Sequence, residues 1–418
     1  MLLPYSPRSR QAVPRLDGVG GDPALKIIMR LFIHALGASA GGGLTYLRNV
    51  VPHLAARPDI EVSVLAGEAA GAAIRSGSNV QTLASGIEEH GTLSRFLWEQ
   101  REIPELIRKM GADLLLSAGN FAIWNSPVPQ ILLSRNSLYT SADFSRDLRR
   151  RGDYRLWLDT RLKGFLARKS IHRARLTVAP SEAFARELRA WSGHEVVALH
   201  HGFDREFFLL DGMALPLSIL DKLKETEGAV RLLFVSHYNY YRNFETLLHA
   251  VALLKQRRPS SRIRLVLTCE LAEGKNPGDY RTAEASALLH DLQIAEDVVQ
   301  LGTIPYPLLH HLYRSCDIYV TPAYTETFAH PLVEAMACGL PIVASDLAVH
   351  REITNGAALF FERFSPADLA DKVTHLLDSP SLQSDMREKG LRRAGNFSWK
   401  DHVEGLVEMA RAVAGESA

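Results

Sequence analysis

Short apolar strands alternate with amphipathic helices along almost the whole chain, and the alternation starts twice. Residues 26–35 (Lys-Ile-Ile-Met-Arg-Leu-Phe-Ile-His-Ala) lack the in–out pattern of a half-exposed strand, so a strand buried on both faces is expected. It enters a glycine-rich segment, 36–43, after which Leu44, Leu47, Val50, Val51 and Leu54 recur at helical spacing. A strand at 60–64, a helix near 95–109 and strands at 114–117 and 130–134 continue the pattern. A second series opens at 230–236, followed by a loop and then Phe244, Leu247, Leu248, Val251 and Leu254 at helical spacing, with Asn243 placed as the cap. Strand–helix alternation of this kind builds parallel sheets covered on both faces by helices. At 418 residues the chain exceeds the roughly 250–300 residues at which one core stops growing, so two α/β domains are expected. Composition places their limits at 25–210 and 229–396, joined by a Gly-, Pro- and charge-containing linker at 211–228.

Several classes of function are disfavoured by the bulk of the chain. A net charge of +1 offers no general surface for nucleic acid. No apolar run has the length of a membrane span. Residues 1–24 carry several prolines and arginines without a continuous apolar segment, which reads as a mobile tail rather than a secretory signal. Cys269, Cys316 and Cys338 have neither metal-ligand nor redox spacing, which fits a reducing, cytoplasmic location. The adjacent His310 and His311 read as decoration of a helix, with no third ligand evident beside them.

The densest cluster of chemistry lies at 322–341. Asp317-Ile318-Tyr319-Val320 is a strand, Pro331 suits a first helical position, and Gly339 with Pro341 suits a helix end. Glu326 then falls in a loop and Glu334 in the first turn of a short helix. Main-chain N–H groups between them point out of the helix N-terminus, where phosphate is favoured. Carboxylates for sugar hydroxyls beside amides for phosphate suit a sugar nucleotide.

This stretch resembles the signature of retaining glycosyltransferases of the GT-B fold, in particular family 4 (group 1). Glu326, seven residues, Glu334 and then Ala335-Met336-Ala337-Cys338-Gly339-Leu340-Pro341 match, and the likeness continues through Val343-Ala344-Ser345 and His350-Arg351-Glu352-Ile353. The resemblance implies two Rossmann-like domains facing each other across a cleft, the donor mostly in the second and the acceptor in the first. Residues 397–418 would then form a helix that crosses back to the first domain. It implies transfer of a hexosyl group from a nucleotide diphosphate sugar to an acceptor hydroxyl, with retained anomeric configuration, no metal and no cofactor beyond the donor itself. Glu334 would bind the donor ribose and Glu326 the transferred sugar. Amides near Phe328, Ala329 and His330 would hold the β-phosphate, and Arg242 its charge. His237 stands where relatives carry an arginine, and Ala329 where they usually carry glycine. Gly41, Gly42 and Gly43 match the glycine loop that approaches the diphosphate and the acceptor, and Thr303 and Ile304 match a loop that contacts the base. Ser134-Arg135-Asn136 stands where many relatives place a histidine facing the sugar.

From 143 to 175 the chain holds eleven Arg and Lys against four Asp, with Trp157, Leu158, Leu162, Phe165 and Leu166 interleaved. That pattern suits either a solvated helix face or a cationic surface for a lipid-linked glycan acceptor and the inner face of a membrane. A glycan acceptor and polysaccharide or glycoconjugate synthesis fit the resemblance. The alternatives are GT-B chemistry of another kind, a phosphorylase or epimerase, and a catalytically silent GT-B scaffold.

Overall fold

The computed structural model describes residues 28–415 apart from 38–40, 73, 75–76, 86, 88–90 and 279, so the tail expected at 1–24 lies outside the described residues. Two parallel sheets form, of seven and six strands. The first contains β1 (Met29–His34), β2 (Ile60–Ala66), β3 (Val80–Ala84), β4 (Leu114–Ser117), β5 (Gln130–Leu133), β6 (Leu176–Ala179) and β7 (Val197–Ala198), in the order 3-2-1-4-5-6-7. The second contains β8 (Val230–Phe234), β9 (Ile263–Leu267), β10 (Val298–Gln300), β11 (Ile318–Thr321), β12 (Ile342–Ser345) and β13 (Leu359–Phe361), in the order 10-9-8-11-12-13. The central strands are buried on both faces, as their unbroken apolar runs require. Each sheet reverses its strand order once, between β1 and β4 and between β8 and β11. In open α/β sheets, ligands bind beyond the carboxyl ends of the strands at such a switch point.

The stretch read as a linker is more ordered than its composition suggested. It contains the helix Leu217–Lys224, which buries Ile219 and Leu223 one turn apart. Leu215 joins them in the core that runs between the domains. The last helix, Trp399–Gly415, lies on the first domain, where Trp399, Val403, Leu406 and Val407 share a buried cluster with Leu47, Val50, Val51 and Leu54 of the helix Gly41–Ala55. Gly202 permits this docking, because a Cβ there would lie 2.1 Å from the Trp399 main-chain nitrogen.

Polar clamps also join the domains. Glu352 accepts hydrogen bonds from the main-chain N–H groups of Glu182 (2.8 Å) and Ala183 (2.6 Å), so the second domain caps a helix of the first. His200 Nε2 lies 2.6 Å from the same carboxylate. Ser181, read from sequence as an N-cap, accepts from the Phe184 N–H (3.2 Å) and donates to the Thr327 carbonyl (2.7 Å).

The basic stretch is divided in two. The helix Ala142–Arg150 turns Phe144 and Leu148 into the core of the second domain. Arg151 behind it is buried against Asp147 (3.0 Å), Glu245 (2.7 Å) and Glu284 (2.6 Å), so this cation fastens the domains instead of facing solvent. The helix Tyr154–Arg173 retains an exposed basic face.

Candidate active site

At the second switch point, β8 runs into a loop whose last turn, Tyr240–Arg242, is held by Asn239, which accepts from the Arg242 N–H at 3.1 Å. Asn243 holds the N-cap position expected of it, but its side chain makes no capping hydrogen bond. Its backbone is left-handed (φ 56°, ψ 49°), and its side-chain amide donates to the Pro322 carbonyl (3.1 Å). Asparagine tolerates that conformation better than other residues with a Cβ. The bond ties the loop after β8 to the loop after β11, and so brings Arg242 opposite Glu326.

The Arg242 guanidinium donates to the Glu326 carboxylate, and both side chains are largely buried. Burial is the largest influence and opposes the charge on Arg242, but the Glu326 carboxylate together with Tyr241 and Tyr319 holds the guanidinium above its ordinary pKa. Arg242 Nε is buried with no hydrogen-bond partner. His237 lies at the end of the same loop, where partial burial and the Arg242 charge lower its pKa. It therefore contributes little positive charge at neutral pH.

The signature helix spans His330–Ala337 and begins without a side-chain cap. Ala329 precedes it in a left-handed conformation (φ 64°, ψ 62°), the geometry that favours glycine. The main-chain N–H groups of Phe328, Ala329 and His330 find no acceptor among the described residues. Glu334 is not in the first turn. The helix opens at His330, ahead of Pro331, which places Glu334 in the second turn and on the buried face. Only 5% exposed, Glu334 accepts from the Tyr313 hydroxyl at 2.7 Å. Burial pushes its pKa up to about 7, against the opposing pull of the Tyr313 hydrogen bond. Phe328 is buried in a ring cluster with His201, His330 and Phe397. His330 Nε2 lies 3.2 Å from His201 Nδ1, and burial brings His330 down to about 4.

Gly41, Gly42 and Gly43 form the first turn of the helix Gly41–Ala55, and a Cβ on Gly42 would meet nothing within 4 Å. Ala38, Ser39 and Ala40 of the glycine segment lie outside the described residues. Arg135 braces this turn. It donates to the Ala118 carbonyl (2.5 Å) and the Gly42 carbonyl (3.5 Å), and its guanidinium lies 4.7 Å from the Tyr46 ring centroid. Thr303 is exposed and Ile304 buried in the loop after β10. Two residues on, Tyr306 lines a cavity of about 450 Å³ together with His330, Arg48, Asn49 and Asp204, so both domains contribute to its wall. Tyr306 was not singled out from sequence, although its position just past the base-contact loop was a usable signal. The structure thus gathers Glu326, Arg242 and His237 at one end of the signature loop, and Phe328, Ala329, His330 and Glu334 at the other.

His310 and His311 do have a third potential ligand, Asp211, with ligand atoms within 4.8 Å of one another. That carboxylate already accepts from Arg314 (2.9 and 3.2 Å) and lies 2.9 Å from His310 Nε2. The pairing explains what the sequence showed only as two histidines, since Asp211 is brought to them by the interdomain connection.

Comparison with known proteins assigns both halves. The family model described as Glycosyltransferase Family 4 matches residues 40–207, and that described as Glycosyl transferases group 1 matches 218–393. A D-inositol 3-phosphate glycosyltransferase of Pseudarthrobacter chlorophenolicus is 33% identical over 41% of this chain and 40% of its own length. One of Thermobifida fusca is 29% identical over 46% of this chain and 44% of its own. The matches therefore span less than half the length of these curated relatives. The sucrose-phosphate synthase of Thermosynechococcus elongatus superposes with a TM-score of 0.72 over 93% of this chain and 100% of its own, at 16% identity. Anabaena HepE, solved in complex with UDP-glucose, gives 0.66 over 92% of this chain and 100% of its own, also at 16%. With one model on each sheet and a fold shared over nine-tenths of its length, the chain belongs to the group 1, family 4 glycosyltransferases of the GT-B fold.

Proposed function

We propose that this protein transfers a hexosyl group from a nucleoside diphosphate sugar to an acceptor hydroxyl, with retention of anomeric configuration and without a metal ion. The observation that carries the reading is the buried Arg242–Glu326 pair beside three unpaired main-chain N–H groups at an uncapped helix start. A diphosphate offers acceptor oxygens to Arg242 and to those amides. A sugar hydroxyl offers a donor to Glu326. Fixed cations and helix-terminal amides can stabilise a departing diphosphate in the way a metal does elsewhere. Glu334, which accepts from the Tyr313 hydroxyl, would take the ribose, and a separate 450 Å³ cavity beside Tyr306 and His330 is within the usual range for small-ligand pockets. HepE was solved with UDP-glucose, which supports a donor of this class for the shared fold.

Thermal-shift titration with UDP-, GDP- and ADP-glucose in EDTA tests donor binding. NMR of the transferred or hydrolysed sugar then reports the anomeric outcome. Stabilisation by one donor with retained configuration is expected, whereas inversion or strict metal dependence would remove those parts of the reading.

A separate observation favours contact with a membrane leaflet. Tyr154, Leu158, Leu162 and Phe165 recur three or four residues apart on the helix Tyr154–Arg173 and are 49–64% exposed, with exposed Arg155, Arg161, Arg168 and Lys169 around them. An apolar stripe among cations suits the anionic inner face of a bilayer and a lipid-linked glycan acceptor held there. No helix among the described residues is long and apolar enough to cross a membrane. Flotation with phosphatidylglycerol vesicles but not phosphatidylcholine vesicles is expected, and equal recovery with both would discard this contact.

A further inference from the structure

The connection between the domains meets the helix Leu309–Ser315 of the second domain at side chains that the transferase reading does not use. Neighbouring residues on a helix point about 100° apart. The rings of His310 and His311 nevertheless lie with centroids 3.9 Å apart and planes 37° from parallel, and both turn towards the same few residues of the connection. His310 Nε2 stands 2.9 Å from Asp211 Oδ1, and His311 Nε2 stands 2.8 Å from the Met213 carbonyl oxygen. One potential ligand atom from each of Asp211, His310 and His311 falls within 4.8 Å of the others.

Hydrogen bonding alone does not account for this arrangement. His310 is fully buried, and its Nδ1 has no hydrogen-bond partner among the described residues. Its Nε2 faces a carboxylate whose side chain is 64% exposed. A contact that open to water contributes little to stability, so burial of an imidazole in place of an apolar ring calls for another reason.

The donor set narrows the ligand. Two imidazole nitrogens and one carboxylate suit Zn²⁺, with water in the fourth position, whereas Mg²⁺ and Ca²⁺ prefer oxygen ligands throughout. Atoms bound to one Zn²⁺ at about 2.0–2.1 Å stand about 3.3 Å apart. Asp211 is exposed and His311 half-buried, so small rotations close the 4.8 Å spread. Arg314 already holds Asp211, at 2.9 Å from Oδ1 and 3.2 Å from Oδ2. It can keep Oδ2 when a metal takes Oδ1, since ligating carboxylates commonly carry such a partner. Its charge opposes a second cation, but its side chain is 43% exposed and solvent screens the repulsion.

We propose that Asp211, His310 and His311 form a Zn²⁺ site that fastens the interdomain connection to the second domain. The metal bridges the connection, just ahead of the helix Leu217–Lys224, to the helix that also presents Tyr313 to Glu334. It supplies no group to the transfer step, so the site stands or falls independently of the transferase reading.

The full chain, free of any affinity tag, is titrated with ZnCl₂ by isothermal calorimetry, and visible absorption of bound Co²⁺ serves as a second probe. One Zn²⁺ per chain is expected, with a Kd of about 1–10 μM, because three ligands beside a cation hold metal less firmly than a closed four-ligand site. His311→Ala and Asp211→Asn should each weaken binding about tenfold or more. Neither side chain is fully buried, and circular dichroism in EDTA confirms that both variants fold. His172 and His194, with ring centroids 3.8 Å apart, are a competing pair, and His172→Ala should leave the affinity unchanged. Excess Zn²⁺ should slow proteolysis within 209–216 in the wild type and not in His311→Ala. Absence of saturable binding, Mg²⁺ or Ca²⁺ binding as tight as Zn²⁺, affinity unmoved in His311→Ala, or affinity lost in His172→Ala overturns the site. Proteolysis that Zn²⁺ does not slow overturns the fastening.

Discussion

Glu334 should make both stability and donor affinity depend on pH near neutrality. Its carboxyl is buried with one hydrogen bond, from Tyr313, and its pKa stands at about 7 against an ordinary 4.5. A raised acid pKa means that the folded chain holds this proton over a pH range where the unfolded chain has lost it. Stability contributed by the group is therefore full below about 4.5 and declines as pH rises towards about 7. At 1.36 kcal/mol per unit, a shift of this size corresponds to about 3 kcal/mol across the window. Glu334→Gln keeps an acceptor for the Tyr313 hydroxyl and removes the titration. Melting temperatures of both proteins from pH 4.5 to 8 should diverge, the wild type losing ground to the variant by roughly 6–12 °C at the usual 2–4 °C per kcal/mol. A ribose diol donates to the ionised carboxylate, so the same linkage makes donor binding tighter as pH rises through about 7, and that trend should be absent in the variant. Parallel melting curves and pH-independent donor affinity in the wild type would refute the reasoning.

Arg242→Ala strands the Glu326 carboxylate in a largely buried position and should cost about 3–5 kcal/mol, together with measurable donor binding. In a double-mutant cycle with Glu326→Ala, the pair should cost clearly less than the sum of the singles, and strict additivity would mean that the two do not interact. Gly202→Ala pushes a Cβ to within 2.1 Å of the Trp399 nitrogen and should undock the last helix, read as faster limited proteolysis after residue 398; an unchanged digest would contradict the contact. Ala329→Gly removes about 1–2 kcal/mol of left-handed strain but loses about 0.8 kcal/mol of buried methyl and about 0.4–1 kcal/mol through the freer unfolded chain. These terms nearly cancel, so the melting temperature should move by less than about 4 °C, and a larger shift in either direction would mean that one of them is misjudged.

The alternation of apolar strands with periodic helices was enough to read two α/β domains, because central parallel strands are buried on both faces and leave an unmistakable apolar run. The short strands β7 and β13 were not legible, since two or three residues carry no period. The helix at 217–224 was missed because Gly212, Pro216 and the charges around it read as a linker, although Leu215, Ile219 and Leu223 keep helical spacing. At the site, residue types were legible and their partners were not. Asn243 stands at the N-cap its local sequence suits, but its Oδ1 accepts from the Thr246 hydroxyl and its amide donates to Pro322, seventy-nine positions away. Glu352 lies within the recognised signature, yet what it does is cap a helix of the other domain. Arg151 was one cation among eleven in sequence and became the buried centre of an interdomain ion network once Glu245 and Glu284 closed on it.

The Arg242–Glu326 pair sets two oppositely charged side chains against each other in a largely buried position. Each side chain neutralises the other, and neither is left bare in a region where an unpaired charge costs several kcal/mol. A ligand must then replace both halves of the pair at once. A nucleoside alone offers nothing to Arg242, and a free sugar gives Glu326 a hydroxyl but leaves the guanidinium without an anion. A nucleoside diphosphate sugar carries the anion and the hydroxyls on one molecule, in the order in which Arg242, the free amides and Glu326 present their complements. Under the proposed donor binding, the penalty on partial ligands would contribute to selectivity alongside binding of the whole one. The His237 position bears on the same proposal. Burial and the Arg242 charge lower its pKa, so under the proposed donor binding Arg242 and the helix amides would carry the anion, with the left-handed Ala329 just ahead of that helix start.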